Sequence, residues 1–143
     1  MLTNILAIIL VLIFTVLAAI HVYWLFGGTW GREQVIPTKE NEMSALVIPK
    51  FATAIVALVL FVFALIYLVT SGLLQLQEPH WIVHYGCWII PSIFMLRAIG
   101  DFKYVGFFKQ IKHTKFAKAD SKWFVPLCLT IAIFGILIQL IKV

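Results

Sequence analysis

The chain has 143 residues, a formal net charge of +5, 63% apolar residues and only 12% charged ones. A soluble domain carries roughly 45–50% apolar and about 25% charged residues, and needs that polar surface to stay in water. The composition therefore excludes a soluble globular protein and a disordered chain alike, and points to an integral membrane protein.

Charged residues are absent from four intervals, 1–31, 51–77, 79–96 and 123–141. An apolar helix of roughly 20 residues crosses a bilayer core. The predicted spans are residues 4–26, 51–75, 81–96 and 123–141. These runs are uniformly apolar and do not alternate as barrel strands do, so the expected fold is all-α, a polytopic four-helix membrane bundle. The first run lacks the basic flank of a cleaved signal peptide and exceeds its usual apolar length, so it is read as a span.

A tight hairpin at 77–80, with Pro79 helping to stop the second span, joins the middle helices. The two long connections, 27–50 and 97–122, then share one side. They hold Arg32, Lys39, Lys50, Arg97, Lys103, Lys109, Lys112, Lys115, Lys118 and Lys122, ten of the eleven basic residues. The positive-inside rule makes both loops cytoplasmic and both termini external. The charge bias is explained by topology, and nucleic acid is not an expected partner.

Directly after the first span comes Gly27-Gly28-Thr29-Trp30-Gly31. Three glycines in five residues favour a folded turn whose N–H groups can cradle an anion; a helix C-cap with Trp30 anchored at the interface is the leading alternative. No nucleotide-binding spacing is present. His21 precedes this turn inside the first span. A polar group there is expected to hydrogen-bond within the bundle, or else to carry protons. His80 and His84 have metal-compatible spacing but no third ligand, so no metal or other cofactor is expected. Cys87 and Cys128 sit alone on different spans and are read as free, buried thiols. Pro91 and Pro126 fall inside spans and would free the carbonyls of Cys87 and Lys122, giving modest kinks.

Arg97 and Asp101 are one helical turn apart where the third span ends. Either Arg97 grips an anionic head group while Asp101 orients it, or the two form an anchoring salt bridge. From Lys103 to His113, Tyr104, Phe107, Phe108 and Ile111 recur at helical spacing, with Lys103, Lys109 and Lys112 around them. This predicts a short in-plane amphipathic helix with its lysines at lipid phosphates. No carboxylate lies within a span, and no nucleophile elbow or paired carboxylates appear.

Three segments together resemble a bacterial family of four-span membrane proteins known only as a domain of unknown function. They are His21-Val-Tyr-Trp24 with Gly27–Gly31 and Pro37, then Arg97-Ala-Ile-Gly-Asp101-Phe-Lys-Tyr-Val-Gly106-Phe-Phe-Lys109, and finally Phe116-Ala117, Asp120 and Pro126-Leu-Cys128. The resemblance implies no activity. It implies a location, with His21, Trp24, Trp30, Arg97 and Asp101 gathered at the cytoplasmic face. The expected ligand-binding residues are therefore His21, Trp24, Gly28, Trp30, Arg97, Asp101 and Lys103. The leading functional expectation is binding or transport of a small amphiphile or anionic lipid at that face, in a bilayer containing anionic lipids. The alternatives are a non-catalytic subunit docking a membrane-protein partner, and a membrane enzyme with His21 as general base.

Overall fold

The computed structural model describes residues 1–31, 48–77, 79–100 and 105–142. Asp101, Lys103 and Tyr104, and with them part of the expected binding set, lie outside the described residues, as do residues 32–47 of the first connection. Four helices are long and apolar enough to cross a membrane: α1 (Leu2–Leu25), α2 (Lys50–Thr70), α3 (His80–Ile99) and α4 (Lys115–Lys142). No strand occurs among the described residues. Helices are the form in which such apolar segments satisfy every backbone polar group internally.

The helices pack through one narrow stripe each, leaving the other faces for lipid. On α1 the stripe is Ala7, Leu10, Phe14 and Ala18, at helical spacing, while Ile5, Leu12 and Val16 point outward. Phe14 is the hub. Its ring stacks on Tyr67 of α2 at 5.9 Å, meets Phe63 edge-on at 5.6 Å and tilts against Phe94 of α3 at 5.4 Å. α1 packs chiefly on α2, and α3 chiefly on α4, with α1 also against α4. Small residues permit close approach. A Cβ on Gly135 of α4 would come within 2.8 Å of the Tyr67 hydroxyl and 2.9 Å of the Pro91 ring.

Hydroxyl groups in the helices mostly bond back to their own backbone. Thr15 donates to Val11, Thr70 to Ile66, Ser92 to Trp88 and Thr130 to Pro126. At the hairpin end, Gln139 donates to the His84 carbonyl at 3.1 Å and Lys142 to the Thr70 carbonyl at 3.2 Å, tying α4 to both neighbours. Cys87 and Cys128 are free and buried, as expected.

Helix ends depart from the apolar runs for identifiable reasons. α2 stops at Thr70, with Gly72 at φ +80° just beyond it, well before the apolar run ends. α3 continues through Pro91 and past Arg97 to Ile99. α4 starts at Lys115, capped by the Thr114 hydroxyl accepting from Ala117 N–H at 3.0 Å. Ahead of Pro126 it widens into one π turn, Asp120–Phe124, in which Val125 N–H bonds the Asp120 carbonyl. Such a turn accommodates the helix where a proline removes a donor.

Candidate functional site

The first turns of α4 are amphipathic. Phe116, Ala117 and Asp120 face inward and are buried, while Lys115, Lys118 and Lys122 face out. The inward carboxylate, with 0% exposure, is the centre of the loop end. Asp120 Oδ2 accepts from Gly106 N–H at 2.8 Å and from Lys109 Nζ at 3.2 Å. Its Oδ1 lies 3.1 Å from Arg97 Nη1, a charge contact outside hydrogen-bonding alignment. Lys109 also donates to the Gly106 carbonyl at 3.0 Å and to the Ser121 hydroxyl. Two cations thus converge on one carboxylate in a buried setting, where charged hydrogen bonds are strong and an unpaired charge is costly.

Two glycines shape the connection that delivers Lys109. Gly100 (φ +82°) and Gly106 (φ +91°) press backbone on backbone. A Cβ on Gly100 would be driven into the Val105 carbonyl, and one on Gly106 into the Ile99 carbonyl. Phe107 N–H then bonds the Ala98 carbonyl at 2.7 Å, stitching the connection to the end of α3. The expected in-plane helix is corrected here: from Val105 to Thr114 the chain is turns and bends, because Gly106 at positive φ breaks the helical register. Phe107 and Phe108 remain outward, whereas Ile111 and Lys109 turn in. Lys109, expected at lipid phosphates, is 2% exposed and held by Asp120.

At the other lip of the loop end, the glycine turn is a C-cap of α1. Gly27 N–H bonds the Trp24 carbonyl at 3.1 Å and Gly28 N–H the Tyr23 carbonyl at 3.0 Å, so these two donors are used internally. A Cβ on Gly28 would meet the Tyr23 ring, so a larger residue there must displace that side chain. Trp24 Nε1 donates to the Trp30 carbonyl at 2.8 Å, and Trp30 N–H points to the Tyr23 hydroxyl at a long 3.5 Å. Trp30, 73% exposed, borders a shallow apolar recess with Val16, Ala19, Ile20 and Tyr23. His21 Nδ1 donates to the Leu17 carbonyl at 2.7 Å, and its ring meets Trp24 edge-on at 5.0 Å. The hydrogen bond expected of His21 exists, but to its own helix.

Between these two lips lies an open groove of about 690 Å³, lined by Thr29 and Gly31 on one side and by Lys115, Lys118, Ala119, Lys122 and Trp123 on the other. That volume is of the size that holds a small organic ligand. Lys122 Nζ sits 5.2 Å from the Trp123 ring, a cation–π contact. The structure therefore gathers Arg97, Trp24, Gly28, Trp30 and His21 at one end. Yet it commits Arg97 to Asp120 and lines the open groove with lysines that sequence reasoning assigned to general charge bias. The available signal was the register Phe116, Ala117, Asp120, an inward stripe that leaves the flanking lysines outward.

No curated protein and no solved structure matches the chain. A family model described as "Protein of unknown function (DUF3995)" matches residues 14–135, a stretch that contains all of the loop-end residues just described. The chain belongs to this family, whose function is not established.

Proposed function

We propose that this protein binds or transports an anionic amphiphile, a lipid or a smaller molecule of that class, at a loop end that faces the cytoplasm. The observation that carries the reading is the groove. Outward Lys118 and Lys122 line it, Lys122 over the ring of Trp123, opposite the Thr29–Gly31 turn. Ammonium groups there attract a phosphate or carboxylate head, each contributing on the order of 1 kcal/mol near an anionic surface. The indole offers a face to the adjoining apolar part. Ten of the eleven basic residues on the two connections support the cytoplasmic orientation, which puts both termini outside the cytoplasmic membrane.

In this reading Arg97 acts with Asp120 and Lys109 to fix the α4 wall, and His21, Trp24, Gly28 and Trp30 fix the opposite wall. Asp101 and Lys103 stay in the proposal on sequence grounds alone. The test is native mass spectrometry from nanodiscs of phosphatidylcholine and phosphatidylglycerol, comparing wild type with Lys118→Gln/Lys122→Gln. A phosphatidylglycerol adduct kept by wild type and lost by the variant is expected. Equal retention in both, or bare protein in both, overturns the reading, and bare protein with a co-purifying subunit favours an interaction role instead.

A further inference from the structure

A second cavity, of about 160 Å³, lies between α1 and the start of α2 and shares no lining residue with the lysine groove. Its polar lining is His21, Lys50 and Thr53, and its apolar walls include Trp24, Ala52 and Val56. Each of the three polar side chains has a polar atom to spare. Thr15, Thr70 and Thr130 donate their hydroxyls to carbonyls of their own helices, whereas the Thr53 hydroxyl makes no hydrogen bond among the described residues. Lys50 makes no ion pair among the described residues. His21 spends Nδ1 on the Leu17 carbonyl and packs its ring against Trp24, which leaves Nε2 as its remaining polar atom.

We propose that this cavity binds the head of an aliphatic carboxylate. The Lys50 ammonium and the Thr53 hydroxyl donate to the carboxylate oxygens, and His21 Nε2 is left as an acceptor for another ammonium N–H. A single ammonium compensates a monoanion and would leave a phosphate dianion half neutralised. The volume also sets the class. A dry cavity of about 150 Å³ holds a molecule the size of benzene, enough for a carboxyl group and a few methylenes but not for a whole lipid. Val56 is 42% exposed on the lipid-facing side, so the rest of the chain leaves the cavity along Val56 into the acyl layer.

The inference stands apart from the lysine groove, and the experiment keeps the two separate. Dodecanoate is titrated into the full chain in phosphatidylcholine nanodiscs, with dodecanol and dodecyl phosphate as comparison probes and native mass spectrometry as readout. Dodecanoate is expected to bind, and Lys50→Gln and the isosteric Thr53→Val each to weaken it about tenfold, the loss of one hydrogen bond to a charged group. Lys118→Gln/Lys122→Gln removes any dodecanoate held in the groove and is expected to leave the binding that depends on Lys50 and Thr53 in place. Binding untouched by both cavity variants, or abolished by the groove variant, overturns the assignment. Equal binding of dodecanol would reduce the site to an apolar one, and tighter binding of dodecyl phosphate through Lys50 and Thr53 would refute the carboxylate class.

Discussion

Removing the Asp120 carboxylate tests the loop-end architecture most severely. Asp120→Ala leaves Lys109 Nζ buried at 2% exposure with only the Gly106 carbonyl and the Ser121 hydroxyl as partners, and leaves Gly106 N–H without an acceptor. Arg97, whose side chain is 34% exposed, can turn towards water, so the penalty falls mainly on Lys109. Breaking one partner out of a buried ion pair costs about 3–5 kcal/mol. Asp120→Asn keeps the shape and an acceptor for Gly106 but not the charge, and is expected to cost less, about 2–3 kcal/mol. Removing both charges together in Asp120→Leu/Lys109→Met should recover most of the loss, because no buried charge is then stranded. The assay is unfolding in mixed micelles followed by tryptophan fluorescence, as a double-mutant cycle. A cost below about 1 kcal/mol for Asp120→Ala, or no coupling with Lys109, would refute the reasoning.

The mid-bundle contacts make two further predictions. The Tyr67 hydroxyl is buried with no hydrogen-bond partner among the described residues, so Tyr67→Phe should leave stability unchanged or raise it by about 1 kcal/mol, measured by the same unfolding assay. Gly135→Ala should cost about 1–3 kcal/mol by overpacking against that hydroxyl and Pro91, and less in the Tyr67→Phe background. Gly106→Ala should expose Lys109, because both its φ of +91° and the Ile99 carbonyl forbid the new methyl; amine labelling of Lys109, near zero in wild type, is expected to rise.

Much of the fold was legible because membrane burial writes itself into composition. Four charge-free runs give four helices, but the connection between the middle two is residues 71–79 rather than the tight hairpin expected at 77–80, because α2 already ends at Thr70 ahead of Gly72. Arg97 set the expected end of the third span, yet the helix runs on to Ile99, since a carboxylate from another helix neutralises the guanidinium. That partner was not legible. Asp101 stood at ideal local spacing, whereas Asp120 reaches Arg97 only through the packing of α4 on α3. The aromatic periodicity of Phe107, Phe108 and Ile111 suggested a helix because it counts side chains and ignores Gly106, whose positive φ decides the backbone. The glycine turn was read correctly as a C-cap in its leading form. Two of the N–H groups imagined for an anion are occupied, and the lysines of α4, scattered in sequence, form the open groove only once Asp120 is seen to face inward.

The most direct measurement of the groove's role is photo-crosslinking with an anionic lipid that carries a diazirine beside its head group, mapped by peptide mass spectrometry in nanodiscs. The account predicts crosslinks concentrated on Thr29 to Gly31 and on Lys115 to Trp123, reduced in Lys118→Gln/Lys122→Gln. Crosslinks spread evenly over the outward residues of all four helices, or gathered at the hairpin end around Lys142, would contradict it.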